Sequence, residues 1–166
     1  MRMDQLCQKK ISLMSSFSNR IVNWYKSNGR HDLPWRKNIS PYSVWISEIM
    51  LQQTQVKTVV PFFNKFIEKY PNLDALLKAS EDEILAQWSG LGFYRRAKNI
   101  YKACRVIRET FNNKLPTNIK DLESLPGIGR STAGAIMSIA FNEGHPILDA
   151  NVKSCLLYTS DAADEV

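Results

Sequence analysis

Leu125-Pro126-Gly127-Ile128-Gly129-Arg130-Ser131 sets two glycines two positions apart, directly ahead of a periodic apolar run. Glycine adopts backbone conformations closed to other residues, so Gly127 and Gly129 together predict a tight turn that brings backbone N–H groups to a surface. Residues 131–141 read as a helix starting at that turn, and the N–H groups of its first turn point the same way. Converging amides of this kind suit a phosphate. Arg130 adds a positive charge, and the stretch has no side chain suited to reading sequence. Asp149, alone beyond the helix, raises the expectation of chemistry beside the clamp.

The rest of the composition agrees with an anionic partner. The chain has 166 residues, 44% hydrophobic and 23% charged, which is globular rather than disordered and enough for one core that two lobes can share. Its net charge of +6 favours nucleic acid. Cys7, Cys104 and Cys155 lie far apart, and their spacing supports neither a disulfide framework nor a metal site. Residues 1–16 mix Arg2, Asp4, Lys9 and Lys10 and do not read as a signal peptide. No apolar run approaches the roughly 20 residues of a membrane span. The expectation is a cytoplasmic or otherwise intracellular protein.

Nearly all of the chain reads as helix. Helical apolar spacing covers residues 17–27, ending at Asn28-Gly29, and residues 42–52, 56–70, 73–78, 94–111 and 119–124. Residues 30–40 read as a loop. Pro61 is expected to kink its helix or to mark its first turns. Ser80-Glu81-Asp82-Glu83 matches a capping box opening a helix through Trp88. Strand signals are nearly absent, so the expected fold class is all-α, a multi-helix bundle of two lobes with short connections.

Three clusters stand out as carriers of chemistry. Glu48 sits amid Trp45, Ile46, Ile49 and Leu51, where partial desolvation raises a carboxyl pKa and makes a general acid. Gln52, Gln53 and Gln55 follow it, poor core residues but good partners for base edges. Asp149 would supply a second carboxylate. One protonated and one ionised carboxyl group are what glycosidic cleavage asks for, the acid protonating the leaving group and the anion stabilising a cationic sugar. Gly90-Leu91-Gly92-Phe93-Tyr94-Arg95-Arg96-Ala97-Lys98 pairs a glycine turn with an aromatic tip and three cations, suited to bases and phosphates. Arg30, Leu33, Pro34, Trp35 and Arg36 form a further aromatic and basic cluster, usable as a pocket wall. His31 and His145 have no metal-ligand company.

At this point the chain resembles the adenine DNA glycosylases of the helix-hairpin-helix superfamily, from about Trp24 to Lys153. The blocks that carry the resemblance are Gly29-Arg30 with Leu33-Pro34-Trp35-Arg36, Pro41-Tyr42 through Val56, Trp88 through Asn99, Leu125 through Ile136, and Pro146 through Lys153. The resemblance implies a helix-hairpin-helix glycosylase fold and a base-excision enzyme acting, as a monomer, on double-stranded DNA with adenine opposite 8-oxoguanine or guanine. By it, Glu48 matches the general acid that protonates adenine N7, and Asp149 the carboxylate that stabilises the developing cation. Gln53 and Phe93 match positions that enter the duplex, and Arg30 and Trp35 match pocket-side positions. Phe93 is often Tyr in the family. Gly127, Gly129, Arg130 and Ser131 form the clamp, with Arg95 and Lys153 as further DNA-binding candidates. Endonuclease III-type relatives carry a lysine nucleophile where Ser131 stands. A serine cannot form their Schiff base, so a monofunctional glycosylase is expected.

After Lys153 or Ser154 the family pattern stops. Cys155-Leu156-Leu157-Tyr158-Thr159-Ser160-Asp161-Ala162-Ala163-Asp164-Glu165 resembles the translation of a sequencing-library adapter. The expected division is therefore 1–154, a helical catalytic region incomplete at its C-terminus, and 155–166, a non-native tail. The tail holds three acids and no base, so without it the charge is +9 rather than +6. The family's 4Fe–4S cluster would lie further on, its cysteines absent here, and no metal site is expected within the chain. An incomplete second lobe implies exposed apolar surface and an inactive or weakened fragment.

Overall fold

A computed structural model describes residues 3–147, with side chains from residue 16 onward. The chain divides into two compact units, Met1–Leu33 and Pro34–Val166. No strand occurs among the described residues, and the fold is all-α. None of the described helices is long and apolar enough to cross a membrane.

The first unit is one helix, α1 (Met3–Asn28). It begins well before the expected start at residue 17, because residues 3–16 are rich in good helix formers and need no amphipathic stripe to continue the helix. Gly29 ends it by donating its N–H to the Tyr25 carbonyl at 2.7 Å. Phe17, Ile21 and Trp24 share one exposed face of α1.

The second unit holds α2 (Pro34–Lys37), α3 (Pro41–Leu51), α4 (Val56–Lys69), α5 (Leu73–Leu77), α6 (Glu81–Trp88), α7 (Arg95–Thr110), α8 (Ile119–Ser124) and α9 (Arg130–Ala140). Residues 34–37 form a helical turn inside the segment read as a loop, because Trp35 is buried edge-on against Phe63 at 5.3 Å. Helix α4 runs through Pro61, which is exposed, without interruption.

Helix α3 is the centre of this unit. Val44, Trp45, Ile46, Ile49 and Met50 are each 0–1% exposed, so the helix is apolar nearly all round, as a buried helix must be. It packs against α9 on one side and against α4 and α2 on others. The bundle continues from α4 to α6, from α6 to α7, and from α7 to α5, while α8 leans on α9. Trp88 and Phe66 meet edge-on at 6.2 Å in its interior. Ser40 opens α3 with a capping box to Ser43, and Ser80 opens α6 with the box read from the sequence.

Cys104 faces this core from α7, and burial pushes its thiol up to about 12. The thiolate is the nucleophile, so native Cys104 is expected to resist alkylation at pH 8 and to react once denaturant is added. Peptide-resolved mass spectrometry reads both states.

Glu83 accepts the Ser80 N–H at 2.8 Å and the Ser80 hydroxyl at 3.0 Å. These bonds hold its carboxyl below the usual range. A depressed carboxyl pKa stabilises the fold above the unfolded-state value and ceases to as pH falls through the folded value. The melting-temperature gap between wild type and Glu83→Gln should therefore be open at pH 7 and shrink as the pH falls below about 4.3.

Candidate nucleic-acid interface

The glycine hairpin between α8 and α9 is anchored from beneath. Leu125 and Ile128 are buried, and the Ile128 N–H closes the turn on the Leu125 carbonyl at 3.0 Å. Gly127 has φ of 83°, in the left-handed region, and a Cβ there would lie 2.8 Å from Asn99 Cβ on α7. Gly129 is different. Its φ of −92° and ψ of 177° suit any residue, and a Cβ there would meet nothing within 4 Å. The expectation that both glycines make the turn is thus corrected: Gly127 makes it, and Gly129 leaves the outer surface of the hairpin bare.

Helix α9 starts at Arg130 with Gly129 as its N-cap, no side-chain cap, and no acidic residue in its first turn. Arg130 and Ser131 are both exposed there. The positive end of the helix dipole, the bare glycine and a cation therefore share one surface.

Glu48 lies on α3, half-buried between the buried Ser47 and Ile49. Since α3 packs on α9, the helix that carries Glu48 and the helix that begins at the hairpin are neighbours. Just past the end of α3, Gln53 is exposed with φ of 55°. The second aromatic turn behaves alike: Gly90 and Gly92 have φ of 94° and 78°, and Phe93 has φ of 50° and is 58% exposed. A non-glycine residue in this region costs about 1–3 kcal/mol and persists only where its surroundings over-determine it.

Arg96 supplies that surrounding. It was grouped by sequence with Arg95 and Lys98 as a cation for phosphate, and the structure corrects this: Arg96 is buried while Arg95 and Lys98 are exposed. Its Nη1 donates to the carbonyls of Ile49, Met50 and Gln52 at 3.2, 2.7 and 2.5 Å, and its Nη2 to Gly92 at 3.2 Å. Trp88 Nε1 reaches the same Gly92 carbonyl at 3.1 Å. The guanidinium carbon stands 5.2 Å from the Phe93 ring centroid and 5.5 Å from that of Trp88. Burial lowers the Arg96 pKa. The signal that could have found it is the helical period, which sets Arg96 on the stripe of Ile100, Ala103 and Ile107.

Beyond α9 the chain turns back along the helix. The Ser138 hydroxyl donates to the His145 carbonyl at 3.2 Å and accepts the His145 N–H at 3.3 Å. At Gly134 a Cβ would lie 3.4 Å from Ile147, so the returning segment runs back toward the hairpin end of α9. Asp149, Lys153 and the adapter-like tail lie outside the described residues. Arg30 is exposed in the first unit, and Trp35 is a core residue of the second with 8% of its surface exposed.

No group of three or more His, Cys, Asp or Glu residues that could hold a metal ion occurs among the described residues. The chain has three cysteines in all, which does not fit a four-cysteine iron–sulfur site.

The helical bundle and the glycine hairpin between α8 and α9 together define a helix-hairpin-helix protein. A family profile described as "HhH-GPD superfamily base excision DNA repair protein" matches residues 46–160, and the chain belongs to that superfamily. It is 55% identical over 141 residues to an adenine DNA glycosylase of Buchnera aphidicola subsp. Schizaphis graminum, covering 85% of this chain and 41% of that one. It is 40% identical over 151 residues to the Rattus norvegicus adenine DNA glycosylase, covering 86% and 29%. Among solved structures it resembles a thermostable thymine-DNA glycosylase, with a TM-score of 0.76, 31% identity, and coverage of 82% of this chain and 63% of that one. It shares its fold with endonuclease III in a non-covalent DNA complex, with a TM-score of 0.73, 21% identity, and coverage of 87% and 66%. The chain thus spans less than half the length of the curated relatives just described.

The two glycines make separable predictions. Gly127→Ala combines a strained φ with a clash against Asn99 and should cost about 1–3 kcal/mol. Gly129→Ala should change stability by about 0.5 kcal/mol or less. Urea unfolding of the two variants checks both.

Proposed function

We propose that this chain is the catalytic region of a monofunctional DNA glycosylase that hydrolyses the N-glycosidic bond of adenine mispaired with 8-oxoguanine or guanine. The observation that carries the reading is the half-buried Glu48 on a helix packed against α9, whose first turn bears the hairpin clamp. The names of the relatives support adenine as the base. Double-stranded DNA inside the cell is then the partner, bound by a monomer.

Each group has a task in this reading. The hairpin amides, Arg130 and Ser131 hold a backbone phosphate beside the lesion, and Arg95 and Lys153 add contacts. Gly129 lets that phosphate approach the backbone closely. Gln53 and Phe93 enter the duplex and help offset the few kcal/mol that extruding a base costs. Glu48 donates a proton to adenine N7, which makes neutral adenine the leaving group. As the bond from the sugar to N9 breaks, its electron pair leaves with the base. Asp149, ionised, stabilises the cationic sugar until water adds at C1′ and releases a proton. Ser131 stands where a lyase would carry its lysine, so strand cleavage is not part of the reaction.

The test is single-turnover adenine release by the full-length protein from a duplex with adenine opposite 8-oxoguanine. Glu48→Gln should lower release about 10²–10⁴-fold, the usual worth of a general acid, with duplex affinity changed by less than about threefold. Adenine release that persists undiminished in Glu48→Gln overturns the mechanism. Borohydride trapping of a covalent DNA adduct would instead indicate a lyase. Salt-sensitive binding with no base release would indicate a binding protein.

A further inference from the structure

We propose that Arg96 is a positioning residue that ties the Gln53 turn to the Phe93 turn, so that the two side chains entering the duplex do so as one wedge. The proposal rests on the glycosylase reading above. Four carbonyls of two segments far apart in sequence converge on this one guanidinium. Ile49, Met50 and Gln52 belong to the last turn of α3 and its exit, and Gly92 immediately precedes Phe93. The residues next to the outermost carbonyls on each side, Gln53 and Phe93, are both non-glycine residues with positive φ.

Geometry explains why arginine is needed. Its two terminal nitrogens point in fixed directions from one plane, so contacting both segments fixes their separation. An ammonium has one nitrogen and sets no such spacing. The guanidinium also lies against the Phe93 ring, at 5.2 Å from its centroid, which orients the ring that stands exposed on the surface. The Arg96 N–H donates to the Phe93 carbonyl at 3.0 Å, so the tie includes the start of α7 as well. The last turn of α3 has no basic residue of its own, and the cation on its carbonyl end comes from Arg96.

A double-mutant cycle in the full-length protein separates positioning from general support of the fold. The readouts are 2-aminopurine fluorescence beside the target adenine, which reports unstacking, and affinity for undamaged duplex. Arg96→Met should slow unstacking about tenfold or more, with undamaged-duplex affinity within about threefold, since the clamp is intact. In a Gln53→Ala/Phe93→Ala background, adding Arg96→Met should slow unstacking by less than about twofold, because the wedge is already gone. Arg96→Lys, which keeps the charge at the end of α3, should fold and still lose several-fold in unstacking. It serves in the cycle if Arg96→Met does not fold.

Wild-type unstacking in both Arg96 variants overturns the proposal. So does the same fractional loss with and without the wedge residues, which marks a structural effect only. A wild-type protein that unstacks no base removes the glycosylase reading itself. A wild type that unstacks the base with variants equal to it overturns this proposal alone.

Discussion

A helix end has to find hydrogen-bond donors, and α3 finds them in Arg96 and, for the Leu51 and Gln52 carbonyls, in the Thr54 N–H and hydroxyl. The Ile49 and Met50 carbonyls are buried with the helix, and an unpaired buried carbonyl costs about 1–3 kcal/mol. Arg96 reaches in from α7 and serves several at once. A buried cation is itself costly, and the contacts of both terminal nitrogens offset part of that cost. Only Nε is buried without a hydrogen-bond partner. One side chain therefore ties the end of α3 to the start of α7 and to the glycine turn before Phe93.

Helix α7 is in this sense the frame of the candidate interface. One turn from Arg96, Asn99 abuts Gly127 of the hairpin. The two side chains place the turns of Gln53 and Phe93 and the glycine hairpin against one helix. Acid and clamp are linked by a second route, through the packing of α3 on α9. A carboxyl group on a helix is held more firmly than one on a loop, which suits the general acid proposed for Glu48. Among residues other than glycine and asparagine, positive φ occurs elsewhere, at Gln53 and Phe93 in the two exposed turns.

How much of this was legible in the sequence depended on whether the signal was local. The helices, the Ser80–Glu83 box and the hairpin were readable because period, caps and glycines act within a few residues. The start of α1 was missed because helix propensity without an amphipathic stripe leaves little pattern. Trp35 read as a pocket wall beside Arg30 and Arg36. Its packing on Phe63, a residue nearly thirty positions away, could not be seen locally. Arg96 was hidden in a run of cations, where composition suggested phosphate. Its place on the apolar stripe of α7 was present in the spacing, but its four acceptors lie on segments that only the fold brings together.

Gly127 and Gly129 looked equivalent in the sequence, and the structure divides their work. Gly127 answers to the protein: it takes a conformation that alanine resists, and a neighbour fills the space a side chain would need. Gly129 answers to nothing inside the protein, since its backbone is ordinary and the space above it is empty. A missing side chain that the fold does not require still shapes the surface, by letting an external group come as close as the backbone amides themselves. Beside an uncapped helix start and an exposed arginine, the group that gains most from this approach is an anion with several oxygens. The hairpin is thus built from one glycine that makes the turn and one that keeps it open.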